Sequence, residues 1–495
     1  MFLRATAALL GLLAGASAGP METSGLLSDA ARLFASGPGM DSRLGLAPAP
    51  VEDTANFRFY SELTAPFRVT SLPDIPFPVG ELYSGNLPIS ASDPSRTLFF
   101  VFQPRVGEPV DEITIWLNGG PGCSSLEGFF HENGRFVWPD GATASRINEY
   151  SWTNATNMLW VEQPVGTGYS TGTPRAKSQD DIAADFLSFF RTFTRTFPST
   201  TTYKIYLTGE SYAGRYVPYI GSAFLAAGLP LAGALIYDPT IGAFDITQEQ
   251  IPAAPFLRAN VGPMRLSPSA LEDVDKLHQT CGYDKYMDRY LSFPPPGPQP
   301  PAARNMRCDV FSRAQRVARQ ANSCFNVYDV SERCPTPRST MKGQGAYFAR
   351  ADVKRALHAP PNTKWSLCST RRVFSGFGGP QREGDLSPDP IAGALPRVVD
   401  GTRRVLVANG DYDMIIMSNG TLLALQNMTW GGALGFQERP RARILGEGGK
   451  ELGVQHQERG LMWSQGYATG HMGPGMNPAL SWRHLMWVLG RAETL

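Results

Sequence analysis

The sequence predicts an α/β fold in which a central mixed, mostly parallel sheet carries an inserted, disulfide-tied cap. Three observations support this fold class. A β-branched and aromatic run at 203–207 leads into a tight turn and then into a largely apolar helix at 215–227. Two further apolar runs, at 98–102 and 113–117, indicate buried strands. Between residues 241 and about 345 the strand-like alternation fades, and this stretch holds four of the 6 cysteines.

The turn at 208–214 (Thr-Gly-Glu-Ser-Tyr-Ala-Gly) fits the Gly-x-Ser-x-Gly nucleophile elbow of an α/β-hydrolase, with Ser211 as the nucleophile. Gly209 lies two residues before the serine, as the elbow requires. Ala213 replaces the second glycine and is the next smallest residue. Small residues are needed because the sharp strand-to-helix turn brings the backbone close to itself. On this motif alone, an ordinary serine in a strand–helix turn is the alternative, since the chain contains 51 glycines.

Charge and composition exclude several classes of protein. The 495 residues suffice for one large α/β domain with an insertion. The 45 Lys and Arg residues balance 44 Asp and Glu residues without long runs of either sign, so we expect no nucleic-acid partner. No metal or other cofactor is expected, because the chain lacks a Cys-x-x-Cys pair and its 6 histidines are scattered. No segment beyond the N-terminus has about 18 uninterrupted apolar residues, so we predict no membrane span.

The N-terminal residues predict export from the cytoplasm. Residues 1–18 match a signal peptide, with Arg4, a short apolar core and a small-x-small site at 16–18. Residues 19–64 form either a propeptide or an N-terminal arm. In an exported chain 6 cysteines indicate three disulfides. We therefore expect a secreted protein or one in a vacuolar or lysosome-like lumen. Three sequons predict N-glycosylation, at Asn154, Asn419 and Asn427.

A glycine-rich loop follows the predicted strand at 113–117. Residues 118–125 (Asn-Gly-Gly-Pro-Gly-Cys-Ser-Ser) place three glycines within four positions, so the backbone can approach a ligand closely. In an α/β-hydrolase such a loop provides one N–H of the oxyanion hole, and the residue after the nucleophile provides the other. We assign these two N–H groups to Gly120 and Tyr212.

The order of an α/β-hydrolase triad restricts its remaining members, because an acid and then a histidine follow the nucleophile along the chain. The predicted strand at 404–409 leads into a turn with two acids, Asp411 and Asp413. Three histidines follow this turn. As the base of the triad, the histidine in a glycine-containing loop is preferred over the one in the predicted final helix, 479–489. The later histidines are His456, His471 and His484, of which His471 lies in that loop.

Several long motifs resemble the signatures of serine carboxypeptidases, an α/β-hydrolase family that includes fungal-type secreted and vacuolar enzymes. The similarity runs from about residue 65 to 490, in the family's order. Gly473 departs from it, since the family often has valine there, and the region from 242 to 345 is variable. The motifs that carry the resemblance are 116–125, 162–170, 209–214, 410–413 and 470–472.

The resemblance implies that Asp413 is the acid of the triad, because the family places its acid at the second position of that motif. Asp411 is then a turn-capping residue. In this interpretation Ser211 attacks the substrate and His471 transfers the proton. Asp413 orients the imidazole and stabilises its charged form.

The resemblance also implies a site for the free C-terminal carboxylate of a peptide substrate, formed by Asn118, Glu132 and Glu210 with Trp116 packed behind them. Two carboxyl groups held close together cannot both ionise cheaply, so one keeps its proton and can donate a hydrogen bond to a carboxylate. By residue type alone, Glu132 would be a solvated surface residue, since glutamate is seldom buried.

The chain divides into a signal peptide (1–18), a propeptide or arm (19–64), a cap (242–345) and two parts of the hydrolase core (65–241 and 346–495). A helix at 346–358 is predicted to lead back into the core. Spacing alone does not determine disulfide connectivity. Within the cap we favour the nested pairs Cys281–Cys334 and Cys308–Cys324, which leaves Cys123–Cys368 to join the glycine-rich loop to the returning chain.

The sequence therefore predicts a serine-type carboxypeptidase that releases C-terminal residues from peptides and proteins through an acyl-enzyme, most efficiently at acidic pH. An acyltransferase or esterase of the same fold is the nearest alternative, because it would keep the same triad. A catalytically inactive binding protein is the other alternative. The presence of Ser211, Asp413 and His471 argues against it.

Overall fold

The structure is a computed structural model of the 495-residue chain. It describes residues 57–138, 144–301, 305–334, 346–377 and 384–495. The predicted signal peptide and most of the predicted propeptide or arm lie outside the described residues. No helix in the described part of the chain is long and apolar enough to cross a membrane.

Within the described residues, ten strands form one mixed sheet, and two pairs of short strands form separate two-stranded sheets. The strands are β1 Tyr83–Pro88, β2 Thr97–Gln103, β3 Glu112–Leu117, β4 Phe136–Val137, β5 Arg146–Ile147, β6 Asn157–Glu162, β7 Lys204–Glu210, β8 Leu231–Tyr237, β9 Val405–Gly410, β10 Thr429–Trp430, β11 Ala433–Leu434, β12 Ala442–Leu445, β13 Glu451–Glu458 and β14 Leu461–Gly466. The order across the large sheet is β1-β2-β6-β3-β7-β8-β9-β14-β13-β12. The strands from β6 to β14 in this order run parallel, and antiparallel strands form both edges. The predicted α/β class with a mixed, mostly parallel sheet is confirmed.

The central parallel strands are buried along nearly their whole length, which explains their continuous apolar runs. Their register brings the carboxyl ends together at one edge of the sheet. Leu117 of β3 lies opposite Gly209 of β7, and Glu210 lies opposite Tyr237 of β8. The loops that follow β3, β7, β8 and β9 therefore meet at this edge. Ligands bind at this edge in open α/β sheets.

Helices cover both faces of the sheet. The α-helices are α1 Gln179–Thr196, α2 Ala213–Ala226, α3 Ala253–Ala259, α4 Val261–Met264, α5 Pro268–Thr280, α6 Tyr283–Tyr290, α7 Val310–Ala321, α8 Ala351–Ala356, α9 Ala394–Thr402, α10 Ser418–Gln426, α11 Gly473–Met476 and α12 Pro478–Val488. One face packs against α1, α2 and α9, and the other packs against α12. Ser178 and Asp181 form a capping box at the start of α1. Phe193 of that helix packs edge-on against Phe100 and Phe102 of β2, with ring centroids 5.7 and 5.3 Å away.

The chain between β8 and β9 is helical over the predicted cap, and its core is separate from the two sheet faces. Buried residues of α3, α5 and α7 pack there against Met414 and Ile416, which follow β9. This helical layer therefore rests on the loop that carries Asp413.

The structure contains the predicted disulfide Cys123–Cys368, but the nested cap pairs are wrong. The cap disulfides are Cys281–Cys308 and Cys324–Cys334. Helix α7 lies between Cys308 and Cys324 and has 12 residues. A helix of that length spans about 18 Å, whereas disulfide-bonded Cα atoms lie within about 7 Å. Each cap disulfide therefore closes a local loop at one end of α7.

The predicted helix at 346–358 is interrupted. Residues 346–349 are helical, Arg350 is extended (φ −66°, ψ 141°), and α8 follows. The guanidinium of Arg350 binds the carboxylates of Asp352, at 2.6 Å, and Asp74. The hydroxyl of Tyr347 donates to Pro73 O at 2.7 Å. Asp74 and Pro73 belong to a distant segment, and their contacts accompany an extended residue that local propensity did not predict.

Candidate active site

Ser211 lies at the sharp turn between β7 and α2. Its φ of 62° is in the left-handed region that non-glycine residues seldom adopt. Backbone hydrogen bonds to the chain after β8 hold it there, because Ser211 N donates to Tyr237 O at 2.9 Å and Thr240 N donates to Ser211 O at 3.0 Å. A Cβ on Gly209 would lie 2.7 Å from the methyl of Ala213 and 2.4 Å from Leu117 O. The turn therefore tolerates alanine at 213 but requires glycine at 209.

The glycine-rich loop after β3 lies directly against this turn. A Cβ on Gly119 would lie 2.5 Å from Tyr212 N and 2.8 Å from Ser211 Cβ. Gly120 has a φ of 110°, and a Cβ there would lie 2.8 Å from Cys123 N. The two backbone segments assigned to the oxyanion hole are thus adjacent. Sequence reasoning did not single out Gly119, although this residue makes the close approach.

Asp413 lies in the loop after β9 and is fully buried. Its Oδ2 accepts a hydrogen bond from His471 Nδ1 at 2.7 Å. Its Oδ1 accepts from the backbone N–H groups of Ile415 and Ile416, at 2.7 and 3.3 Å. The carboxylate is therefore held by three donors, one of them the predicted histidine.

The competing acid of the same turn has a different environment. Asp411 Oδ1 accepts from Thr469 N at 3.2 Å, in the loop that carries His471. Burial raises the pKa of Asp411 to about 6, against the effect of backbone hydrogen bonds from that loop. Asp411 thus connects the two loops through the backbone, whereas Asp413 contacts the imidazole.

The other two candidate histidines contact neither acid. His456 Nε2 lies 2.7 Å from Glu458 Oε1 on β13. His484 on α12 lies 3.1 Å from the hydroxyl of Tyr237 and 3.0 Å from that of Ser464. Burial lowers the pKa of His484 to about 3, so this imidazole is neutral.

The His471 loop packs against the cap. His471 N donates to Tyr328 O at 2.8 Å, and the two rings have centroids 5.1 Å apart. A Cβ on Gly470 would lie 2.4 Å from the same carbonyl oxygen. Gly473, where the resembling family often has valine, faces the ring of Tyr237, and a Cβ there would lie 2.7 Å from that ring. The large Tyr237 side chain accounts for this departure.

Two buried glutamates lie beside Ser211 and share one amide. Asn118 Nδ2 donates to Glu210 Oε1 at 2.8 Å and approaches Glu132 Oε1 at 3.4 Å. Trp116 Nε1 donates to Asn118 Oδ1 at 2.7 Å and so fixes the orientation of the amide. A Cβ on Gly128 would lie 2.1 Å from Trp116 Nε1, so the chain passes directly over the indole.

The electrostatics of this pair favour protonated carboxyl groups. Burial raises the pKa of Glu132 to about 7. Burial, and then the charge of Glu132, raise the pKa of Glu210 well above its usual value. The Oε2 atoms of both residues are buried, and a hydrogen bond between the two carboxyl groups contributes to both pKa values. The two carboxyl groups therefore share a proton.

Comparison with known proteins agrees with this geometry. The family model described as serine carboxypeptidase matches residues 73–491. The chain belongs to the serine carboxypeptidase family. It is a hydrolase that removes C-terminal residues from peptides.

Individual relatives of this carboxypeptidase cover most of its length. Serine-type carboxypeptidase F of Aspergillus niger is 50% identical over 483 residues, which are 90% of each chain. A carboxypeptidase Y homolog of Arthroderma benhamiae is 37% identical over 462 residues, covering 91% of this chain and 90% of the other. The crystal structure of Kex1(delta)p, a prohormone-processing carboxypeptidase from Saccharomyces cerevisiae, superposes with a TM-score of 0.66 at 22% identity. It covers 86% of this chain and 96% of that one, and it shows the shared fold.

A buried ion pair of the carboxypeptidase, Arg215–Asp385, stabilises the turn at Ser211, and sequence reasoning missed it. Arg215 Nε lies 3.0 Å from Asp385 Oδ2, and both side chains are 0% exposed. The same carboxylate accepts from the Tyr212 hydroxyl and from Gln179 Nε2, both at 2.7 Å. This network holds Tyr212, the residue after Ser211. Its only sequence signal is an arginine in an otherwise apolar helix.

Another buried acid of the carboxypeptidase, Glu162, joins three loops around the glycine-rich segment. Glu162 accepts from Trp365 Nε1 at 3.2 Å and also from Ser124 Oγ and Tyr169 N. Burial raises the pKa of Glu162 to about 7. Nearby, Ser124 N donates to Leu367 O at 2.7 Å, next to the Cys123–Cys368 disulfide. The loop is thus fixed both covalently and by hydrogen bonds.

The three predicted glycosylation sites differ in exposure. Asn154 and Asn419 are exposed. Asn427 is half-buried, and its Oδ1 accepts from Gln299 N at 2.8 Å. The exposed positions are therefore the more accessible of the three sequons in this fold.

Proposed function

We propose that Ser211, His471 and Asp413 form the catalytic triad of this carboxypeptidase. The hydrogen bond from His471 Nδ1 to Asp413 leaves the other ring nitrogen, Nε2, to act as the base. His471 then takes the proton of Ser211 Oγ as the serine attacks the scissile carbonyl. The same imidazole returns the proton to the leaving amino group, and water hydrolyses the acyl-enzyme by the reverse path.

The oxyanion that forms during attack is proposed to bind the N–H groups of Gly120 and Tyr212. The close packing of the glycine-rich loop against Tyr212 N supports this assignment. Donors held in place before the reaction stabilise the developing charge without reorganisation during it. The network of Tyr212, Asp385 and Arg215 supplies that rigidity.

The free carboxylate of the substrate is proposed to bind at Asn118, Glu132 and Glu210. The observation that carries this proposal is the pair of buried carboxyl groups with raised pKa values beside the nucleophile. A protonated carboxyl donates a hydrogen bond to an anion, which a carboxylate cannot do. Because Glu210 directly precedes Ser211, a C-terminus bound there places the last peptide bond near the nucleophile. Internal peptide bonds carry no charge for this site to recognise.

The raised pKa values also support greater peptidase efficiency on the acid side. Below about pH 7 Glu132 carries a proton and attracts the substrate carboxylate. Above that value its charge repels the same group. His471 imposes the opposite trend, because the imidazole must be neutral to act as a base. Activity should be greatest where both requirements are met.

Peptide pairs that differ only in a C-terminal carboxylate or amide test this function. We expect free-acid peptides to react with a kcat/KM at least about tenfold higher than amidated ones in the wild type. This preference should fall in Glu132→Gln and Glu210→Gln. Ser211→Ala should lose activity on both peptides while remaining folded. A preference for amidated or ester substrates in the wild type would favour an acyltransferase or esterase instead.

Export to an oxidising compartment is proposed for this chain. The three disulfides support it, because such bonds persist mainly outside the reducing cytosol. Peptide C-termini are the substrates of this enzyme class. We also propose that residues 242–345 form a cap over the site, in which Tyr328 contacts the loop that carries His471.

A further inference from the structure

Asp238, immediately after β8, is a further acid next to the proposed triad, and the mechanism above does not use it. Its φ is 40°, in the left-handed region. Its neighbours fix it to the elbow, because Ser211 donates to Tyr237 O and accepts from Thr240 N. The side chain is fully buried. A buried acid in a strained backbone conformation beside the proposed active site indicates a functional role.

The two oxygens of Asp238 have different environments. Oδ1 accepts from Gly410 N at 2.9 Å and from Asn409 Nδ2 at 3.3 Å. Oδ2 is buried and accepts no hydrogen bond from a donor among the described residues. One ligand atom each of Asp238, Asp413 and His471 lies within 4.8 Å of the others. A buried carboxylate oxygen is thus close to the proposed catalytic acid.

We propose that Asp238 is a positioning residue of the active site, whose protonated Oδ2 donates a hydrogen bond to the carboxylate of Asp413. The proposal rests on the roles proposed above for Asp413 and His471. Two buried carboxyl groups this close cannot both ionise cheaply. The charge belongs on Asp413, which has three donors on two oxygens, whereas both donors of Asp238 act on one oxygen.

The groups around Asp238 also favour its protonated form. The titratable groups that face it are Asp413, His471, Glu210, Tyr237 and His484. His484 is neutral, so His471 is the one member of this set that can become a cation. Burial, and then the charge of Asp413, raise the pKa of Asp238 well above its usual value. A metal ion bound by this cluster is a poorer account, because His471 Nδ1 already donates a hydrogen bond to Asp413 and so has no free lone pair for a metal.

A neutral Asp238 limits the negative charge beside His471, the proposed base. With Asp238 neutral, His471 has one carboxylate charge beside it. A second ionised carboxylate at this distance would stabilise the imidazolium form of His471. The imidazole would then become neutral only at higher pH, and the acid limb of the activity profile would move upward. A neutral Asp238 keeps the base competent at the acidic pH where the carboxylate-binding glutamates hold their protons.

Two substitutions at this position separate proton donation from simple packing. Asp238→Asn keeps the shape, accepts from Gly410 N and donates to Asp413 without any titration. Asp238→Ala removes both interactions. The pH dependence of kcat/KM should be measured with an ester substrate, which avoids the requirement for the Glu132 and Glu210 protons.

We expect the acid limb of Asp238→Asn to stay within about 0.3 pH unit of the wild type, because no charge has been removed. Asp238→Ala should lower kcat by at least about tenfold with KM changed less than about twofold. An acid limb displaced downward by about one pH unit or more in Asp238→Asn would mean that Asp238 is ionised in the wild type, and would overturn the proposal. Wild-type kcat in Asp238→Ala would also overturn it.

Infrared difference spectroscopy at pH 7 supplies a readout that does not need activity or the alanine variant. The wild type minus Asp238→Asn spectrum should contain the carbonyl stretch of one protonated carboxyl, and its absence would contradict the proposal. Failure of the triad assignment itself would appear differently, as retained activity in Asp413→Asn.

Discussion

His471 Nδ1 donates to Asp413 Oδ2 over 2.7 Å, and this bond joins two loops whose residues lie 58 positions apart in the chain. The loops follow β9 and β14, which are adjacent parallel strands with Gly410 opposite Gly466. Because parallel strands end at the same edge of the sheet, a side chain from each loop can meet there. The contact between Asp413 and His471 is thus a consequence of strand order.

Replacing Asp413 by asparagine should reduce kcat by about 10³ to 10⁴-fold with little change in KM, because the amide would favour the wrong imidazole tautomer. Asp411→Asn is the matched control, since it lies in the same turn and can still accept from Thr469 N. We expect Asp411→Asn to lose less than about tenfold in kcat. Steady-state kinetics on one free-acid peptide measure both variants. Equal losses in the two variants would contradict the assignment of the acid.

The pH dependence of KM should identify the carboxylate-binding pair. Burial raises the pKa of Glu132 to about 7, so its proton is present below that pH and is lost above it. KM for free-acid peptides should therefore rise as pH increases through about 7 in the wild type. Glu132→Gln should show a flatter dependence, because an amide donates without a titrating proton. Amidated peptides serve as the internal control, and identical KM profiles for both peptide types would exclude a role for the pair.

Removing one partner of the buried Arg215–Asp385 pair should destabilise the fold strongly. Asp385→Ala leaves a buried guanidinium without its main partner, so the free energy of unfolding should fall by about 3 to 5 kcal/mol. Glu451→Ala is the matched control, because its pair with Arg443 is exposed and should contribute less than about 1 kcal/mol. Urea unfolding at neutral pH measures both variants. Similar losses in the two variants would show that burial does not strengthen the pair.

The same pair predicts a pH dependence of stability. Burial opposes ionisation of Asp385, but the charge of Arg215 and several hydrogen bonds lower its net pKa below the usual value. The pair therefore contributes stability above the unfolded-state pKa of about 3.9, and this contribution is lost as pH falls through the folded-state value. The stability difference between the wild type and Asp385→Ala should shrink on acidification.

Non-reducing peptide mapping should find Cys281 linked to Cys308 and Cys324 linked to Cys334. The first bond closes a loop of 27 residues, and the double variant Cys281→Ser/Cys308→Ser should lose about 3 to 4 kcal/mol in the free energy of unfolding. A Cys308–Cys324 peptide would contradict the helix that separates these residues.

Local patterns in the sequence were sufficient to predict the fold class and much of the sheet. The strands around 100, 115, 205 and 406 are buried on both faces and therefore appear as continuous apolar runs. The elbow at Ser211 could be predicted because a sharp strand-to-helix turn requires small residues at fixed positions around the serine. The relative order of nucleophile, acid and histidine, together with family motifs, pointed to Asp413 and His471.

Tertiary structure decided the features that depend on contacts between distant residues. Arg215 and Asp385 are 170 positions apart, and no local pattern marks them as partners. Asp238 approaches Asp413 only because β8 and β9 are neighbours in the sheet. The cap disulfides depend on which cysteines α7 separates, and the break at Arg350 depends on Asp74. The pattern of one segment indicates which of its residues are buried. The packing of the whole chain determines which distant residue pairs with a buried charge or cysteine.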